Sequence, residues 1–359
     1  MRGVVVVITL GAATGLVAVP SAAQASLYCP DEPFAIPVGN DGKAVALPFE
    51  EFKRRLAVLK NLLDTTRKSN PDRERVLQRV ETAMRKGRNR TPAETAALAS
   101  ELLLLGKPED AAGLLAAGDR QGFLSNMTLA HVNAALNDWA TATEYLTIAN
   151  GRPQPAELPG LSPAQLKWQF QINQGPLVRL FEARWRDSRH RPAPDTEEPE
   201  AIFLVKFVDP EGVYTPGVLA PSERAKLPPD AIATIQQLLL WFPNDARLYW
   251  LLGELYTATG DIAVGRRILD ECVSEAWKYG NRKVLQTHRH AVIATDDARP
   301  KVAPVEDLPL AQAADAAPPT GPIESPAISM RTIGVYFGIV GAVAVLALLR
   351  TIFKRRSTS

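Results

Sequence analysis

Apolar residues recur at three- and four-residue intervals along most of the chain, which predicts amphipathic helices. Asn70 and Pro71 mark the start of one helix, and Thr91 to Glu94 form a capping box at the start of another. Helices or helical hairpins are expected over 49–67, 71–87, 92–118, 126–149, 163–173, 176–189 and 282–294. The body of the protein is therefore predicted to be mostly α-helical.

The clearest pattern runs from Asp230 to Cys272 and predicts one helix followed by a helix-turn-helix pair. Pro243 breaks the first helix, since proline cannot continue a helix ladder. Gly260 ends the first helix of the pair, where a positive φ is favourable, and Asp261 can cap the second. The large and small residues expected to interlock the pair are Leu252, Gly253, Tyr256, Gly260, Gly265, Leu269 and Cys272. Weaker copies of the pattern place small residues at Ala99, Gly106, Ala111, Ala130 and Ala142.

This pattern resembles the tetratricopeptide repeat, a family of helical hairpins that stack side by side. Tyr249 stands where the family usually has tryptophan, while Gly265 and Cys272 stand at its alanine positions. The resemblance covers 92–149 and 231–273. It implies a tetratricopeptide-like array that binds a protein or peptide on a concave helical surface. The polar residues expected to line that groove are Asn133, Arg247 and Glu254.

Two segments interrupt the helical pattern and predict small β-hairpin insertions. Residues 34–47 place extended runs on either side of a Gly-Asn-Asp-Gly turn. Residues 201–215 begin with the apolar, β-branched and aromatic run AIFLVKFV, followed by a turn sequence. The second hairpin is expected to cover the helical stack or to offer an edge for peptide pairing.

The two ends of the chain predict export and membrane anchoring. Residues 1–25 carry Arg2, an apolar run and small residues, as a signal peptide does; an uncleaved anchor helix is the alternative. Residues 333–353 could form roughly 31 Å of apolar helix, enough to span a bilayer. Lys354, Arg355 and Arg356 follow and favour a cytoplasmic C-terminus. Gly334 and Gly338 form a GxxxG pair that could join two such helices in a homodimer.

These patterns together predict eight parts of the chain. They are a signal peptide (1–25), an N-terminal tail with a short hairpin (26–48), a helical domain with repeat-like hairpins (49–190), a loop and β-hairpin insertion (191–229), a tetratricopeptide-like repeat with a capping helix (230–296), an Ala/Pro-rich flexible stalk (297–331), a transmembrane helix (332–353) and a basic cytoplasmic tail (354–359). The bias toward alanine, arginine and proline indicates a bacterial protein, and the two ends of the chain predict that its bulk lies outside the cytoplasm, in the cell envelope.

Cysteine content and charge leave two questions open. Cys29 and Cys272 could form a disulfide in an oxidising compartment, or Cys272 could simply be buried in a helix interface. The net charge is +2, but residues 51–90 hold thirteen Lys or Arg against five Asp or Glu. This local excess indicates either a solvated helix face, or a surface for anionic lipid or an acidic partner. Nucleic acid is disfavoured as a partner because the segment is expected to be exported.

No catalytic, metal or cofactor motif is recognisable in the sequence. His288 and His290 are two residues apart, so on a helix they point in different directions and would not share a metal ion. The preferred interpretation is a membrane-anchored scaffold that binds proteins without a cofactor. The alternatives are a membrane-tethered enzyme with a site assembled from scattered residues, and a purely structural envelope protein.

Overall fold

The computed structural model describes residues 35–299 except 40, 65, 67–69, 88, 117–120, 159–160, 191–192, 194–195, 275–278 and 280. The helices in these residues are α1 Phe49–Leu63, α2 Pro71–Arg85, α3 Pro92–Leu104, α4 Pro108–Ala116, α5 Phe123–Ala135, α6 Trp139–Asn150, α7 Pro163–Gln174, α8 Pro176–Arg189, α9 Pro221–Arg224, α10 Ala231–Trp241, α11 Ala246–Ala258, α12 Ile262–Cys272 and α13 Lys283–Asp297. The prediction of a mostly helical body is confirmed.

Three antiparallel hairpins, α3–α4, α5–α6 and α11–α12, end their first helix with the same hydrogen-bonded turn. Gly106, Asn137 and Gly260 occupy equivalent positions and have φ values of 71°, 61° and 94°. The amide of the next residue then donates to the carbonyl oxygen five residues earlier, at 2.9, 2.8 and 2.9 Å. This is the Schellman arrangement, which satisfies carbonyl groups at a helix end. The shared turn makes the three hairpins structurally repetitive.

The predicted packing residues lie inside these hairpins. Leu252, Leu269 and Cys272 have no exposed surface, and Tyr256 is 8% exposed. The four alanines of the weaker copies, Ala99, Ala111, Ala130 and Ala142, are likewise fully buried. The large/small pattern therefore marks core positions in all three hairpins.

Two glycines allow α11 and α12 to approach closely. A Cβ at Gly265 would lie 2.1 Å from the Thr257 hydroxyl oxygen, and one at Gly253 would lie 3.0 Å from side-chain carbons of Ile268 and Leu269. The first distance is far below van der Waals contact. The hairpin therefore requires the absence of a side chain at Gly265, while Gly253 leaves slightly more room.

Helix α10 is buried on almost every side and anchors the N-terminal segment. Gln237 Oε1 accepts a hydrogen bond from the Ile36 amide at 2.8 Å. Gln236 accepts from the Leu47 amide at 2.8 Å and donates to its carbonyl oxygen at 3.0 Å. Because a buried backbone group must be hydrogen-bonded, these glutamines replace the partner strand that the segment lacks. Helix α1, which follows this segment, packs against both α3 and α10.

The predicted insertions form less β structure than expected. Residues 35–47 contain one antiparallel bridge, between Val38 and Ala44. The prediction of a hairpin at 201–215 is wrong: these residues form turns and bends. Leu204 has a φ of 54°, which is incompatible with a strand, and the Lys206 amide donates to the Glu223 carboxylate at 2.8 Å. Side chains from neighbouring elements thus take the hydrogen bonds that a partner strand would have made.

The predicted signal peptide, transmembrane helix and cytoplasmic tail, and the predicted stalk from residue 300 onward, lie outside the described residues, whereas Asp297, the first residue of the predicted stalk, ends α13. Among the helices that are described, none combines the length and apolar character needed to cross a bilayer. Export and membrane anchoring therefore remain predictions from the sequence.

Candidate functional site

A groove of about 560 Å³ runs between α2 and α3. Its cationic lining consists of Arg75, Arg79, Lys86 and Arg90, and its acidic lining of Glu94 and Glu101. Ala83, Ala97 and Leu98 contribute apolar surface. The basic excess in 51–90 therefore includes a concave surface as well as solvated helix faces.

The local sequence explains the position of the groove walls. The Asn70 side chain accepts from the Arg73 amide and caps α2, whereas Thr91 and Glu94 form the predicted capping box of α3. Gly87, with a φ of 61°, turns the chain between the two helices. Both helices that form the groove thus begin at residues that strongly favour a helix N-terminus.

The ion pairs of the groove differ in burial. The side chains of Lys86 and Glu94 are 57% and 41% exposed, and their charged atoms are 2.8 Å apart. The Lys86 ammonium and then the Thr91 backbone lower the pKa of Glu94 to about 2. Arg79 pairs at 2.5 Å with Glu101, whose side chain is 6% exposed. Arg79 therefore compensates a buried charge, while Lys86 takes part in a solvent-screened pair that contributes little to stability.

Two further cations face this groove with weak or incomplete pairing. Arg75 is 72% exposed and contacts Asp72 one turn earlier on α2. Arg90 donates from Nη1 to the Ala83 carbonyl oxygen at 3.0 Å, but its buried Nε has no hydrogen-bond partner among the described residues. The positive charge of Arg90 thus has no carboxylate partner among the described residues.

Glu254 is the centre of a second polar cluster, in the interior. Its carboxylate accepts from the Tyr214 hydroxyl at 2.6 Å and from Trp250 Nε1 at 2.7 Å, and lies 2.8 Å from His288 Nδ1. Burial, and then the charge of Glu254, raise the pKa of the Tyr214 hydroxyl. The cluster connects α11 and α13 to the segment that precedes α9.

The Glu254 cluster is arranged for stability. An imidazole held by a carboxylate is a known arrangement for general-base catalysis. Here, however, His288 is 5% exposed and Tyr214 stacks on its ring at a centroid distance of 3.7 Å. These contacts leave little space for a substrate beside the imidazole.

A third cluster pairs largely buried arginines with carboxylates, and its members come from four segments of the chain. Arg184 of α8 lies 2.7 Å from Glu200 and 2.6 Å from Asp245, and Arg247 lies 3.6 Å from Glu200. Although burial opposes ionisation of Arg184, the carboxylates of Asp245 and Glu200 raise its pKa. Arg282, which precedes α13, pairs with Glu197. The cluster therefore joins α8, α11 and the start of α13 through the segment between them.

Two of the three residues predicted to line a groove, Glu254 and Arg247, lie in the interior, and the structure corrects the prediction for these two. Glu254 is fully buried, and the side chain of Arg247 is 14% exposed and engaged with carboxylates. Asn133 donates to the Leu129 carbonyl oxygen of its own helix at 2.8 Å. Glu254 and Arg247 thus stabilise the interior, where neither can meet a partner without unfolding.

The other predicted sites are tested only in part. Cys272 is fully buried, whereas Cys29, Gly334 and Gly338 lie outside the described residues, so the disulfide and the transmembrane dimer remain predictions. His288 is buried and His290 exposed, in agreement with their expected separation on a helix. Within the described part of the chain, no group of three or more His, Cys, Asp or Glu is placed to hold a metal ion.

Comparisons with known protein families, with curated proteins and with solved structures find no match to this chain. The likeness to tetratricopeptide repeats therefore rests on the hairpin pattern and on the turn that the three hairpins share.

Proposed function

We propose that the protein is an exported, membrane-anchored helical scaffold that binds other proteins in the cell envelope. The observation that carries this proposal is the set of three hairpins closed by equivalent turns at Gly106, Asn137 and Gly260. Stacked helical hairpins present extended surfaces made of neighbouring helices, and such surfaces suit protein recognition. The concave, positively charged surface between α2 and α3 adds a place where a partner can dock.

The membrane part of the proposal rests on the two ends of the sequence. An apolar run after Arg2 favours export, and the run at 333–353 with its basic flank favours a C-terminal anchor. Ending the chain after Met330 should release a soluble protein into the extracytoplasmic fraction. If the shortened protein instead stays with membranes, the N-terminal segment acts as an anchor.

Protein binding is tested by chemical crosslinking in the native envelope, followed by capture of the full-length protein and mass spectrometry. The matched control is Gly253→Leu, which places a large side chain where a Cβ alone would contact Ile268 and Leu269 at 3.0 Å. A discrete partner that is recovered with the native protein and lost with the control is expected. Recovery of no partner from either sample contradicts the scaffold function.

A further inference from the structure

We propose that the groove between α2 and α3 binds an acidic segment of a protein partner. In this complex the partner's carboxylates would contact Arg75, Lys86 and Arg90, and its apolar side chains would lie on Ala83 and Ala97. The inference rests on the proposed scaffold function and names the chemistry of the partner.

Charge complementarity identifies the acidic character of the occupant. The groove has four cations in its lining and two carboxylates, Glu94 and Glu101. Both carboxylates are already paired, Glu94 with Lys86 and Glu101 with Arg79. Asp72, outside the lining, pairs with Arg75, so one net positive charge remains at the groove, on Arg90, and it favours a partner carboxylate over a basic group.

The cations can change partners at little cost. Arg75 and Lys86 are exposed, and exposed ion pairs contribute little to stability because water and salt screen them. Arg90 differs, because its Nη1 donates to the Ala83 carbonyl oxygen at 3.0 Å and it forms no ion pair among the described residues. A partner carboxylate beside its guanidinium would supply the counter-charge that Arg90 lacks.

The shape of the groove favours a protein segment over a lipid surface. Leu98, which is 1% exposed, lines the same groove as Arg75 and Lys86, whose side chains are 72% and 57% exposed. A planar bilayer would touch those exposed side chains without filling the space between the helices. A volume of about 560 Å³ accommodates a few side chains, as pockets of roughly 300–1,000 Å³ generally do.

The test begins with selection of peptides from a random displayed library against the purified full-length protein. Enriched peptides are then labelled, and their binding is measured by fluorescence anisotropy. The test variant is Arg75→Glu with Lys86→Glu, which reverses two exposed charges and leaves intact the pair of Arg79 with the buried Glu101. The matched control is Lys43→Glu with Arg54→Glu, at positions that are 72% and 74% exposed and lie outside the groove.

We expect the enriched peptides to be acidic and to bind the groove variant about tenfold more weakly, which corresponds to about 1.4 kcal/mol. The control should bind as the native protein does, and replacing the peptide's glutamates by glutamine should weaken binding to the native protein. Added salt should also weaken it, because the contacts are partly exposed.

Three results would overturn the inference. The first is that the selection enriches no peptide, or enriches neutral or basic peptides. The second is an equal loss of binding in the two double variants. The third is groove-dependent binding to phosphatidylglycerol vesicles without binding to acidic peptides. The envelope capture experiment separates this inference from the scaffold function. A partner recovered equally with the native protein and the groove variant would leave the scaffold function standing and refute the groove as its site.

Discussion

Burial of His131 makes the free energy of unfolding decrease as the pH falls. His131 lies on α5 with no exposed surface, and neither ring nitrogen has a hydrogen-bond partner among the described residues. Its ring stacks on Phe242 at 5.4 Å and meets the edges of Phe181 and Trp241 at 6.1 Å. This burial lowers the pKa of His131 to about 3. The histidine therefore acts as a neutral aromatic ring in the core.

The direction of the effect follows from proton linkage. An unfolded chain binds a proton at His131 below a pKa of about 6.5, whereas the folded state does so only near pH 3. Between these values the unfolded state holds the extra proton, so the free energy of unfolding falls by about 1.4 kcal/mol per pH unit as the pH decreases. Lowering the pH from 8 to 5 should thus cost about 2 kcal/mol at this residue. That loss is a large fraction of the stability of an ordinary domain.

His131→Phe should remove this dependence because phenylalanine keeps the ring contacts and cannot be protonated. We expect the variant to be close to the native protein in stability near pH 8, where the gain from removing two unpaired nitrogens offsets a slightly larger ring. Near pH 5 it should be more stable by about 2 kcal/mol.

Urea unfolding of the purified full-length protein at several pH values measures the difference between native protein and variant. Other titrating groups cancel in this difference. One is Glu200, whose pKa is raised by burial and whose effect has the opposite sign. The control is His190→Gln, at an exposed histidine, which should keep the native pH dependence. Parallel curves for the native protein and His131→Phe would refute the argument.

Three further substitutions test the packing and the interior polar groups. Gly265→Ala should lower the free energy of unfolding by about 1–3 kcal/mol. This loss should exceed that of Gly253→Ala, because only the first substitution places a carbon within 2.1 Å of another atom. Thermal melting compares the two variants, and equal losses would contradict the close-approach argument. Gln236→Leu should leave buried backbone groups of Leu47 unpaired, which costs about 1–3 kcal/mol per group. Residues 35–47 should then be cleaved faster by proteases, and unchanged cleavage would count against the anchoring role of Gln236. Glu254→Leu should release the segment around 214, which hydrogen exchange would detect as faster exchange there, whereas unaltered exchange would show that the segment is held by other contacts.

Local sequence signals predicted the helices and their ends because these depend on nearby residues. The capping box at Thr91 and Glu94 and the proline at the start of α8 are visible in the sequence and present in the structure. Gly106 and Gly260 were expected in the hairpin pattern, and they adopt the positive φ that ends a helix. Asn137 fills the same position in the third hairpin, since asparagine tolerates that conformation better than most residues.

The interior clusters could not be predicted because their members are far apart in the sequence. Glu254 binds Tyr214 and His288, which are 40 and 34 residues away, and nothing in the local pattern distinguishes it from a surface glutamate on a helix. The groove had a partial signal in the basic excess of 51–90. Composition alone could not show that these cations face one another across two helices.

The prediction of a hairpin at 201–215 was wrong for a similar reason, because contacts with residues distant in the sequence determine the conformation of this segment. The run AIFLVKFV has the composition of a strand, but β propensity mainly reports how well side chains fit a half-buried surface. Here Ile202 and Phe203 bury their side chains while the Ile202 carbonyl oxygen accepts from Arg179 at 2.8 Å. The two buried side chains and the Ile202 carbonyl group thus find their contacts without a second strand, while Leu204 is 61% exposed.

The interior hydrogen bonds explain why the groove between α2 and α3 is the better docking candidate. Gln236, Gln237 and Glu254 form hydrogen bonds with distant segments of the same chain, and these bonds hold the N-terminal segment and the segment around 214 against α10 and α11. A partner competing for these groups would have to break buried hydrogen bonds, each costing about 1–3 kcal/mol when left unmade. Arg75 and Lys86 carry exposed pairs that exchange at far lower cost. A partner that binds in the groove between α2 and α3 therefore breaks fewer buried hydrogen bonds than one that binds at Glu254 or at the two glutamines.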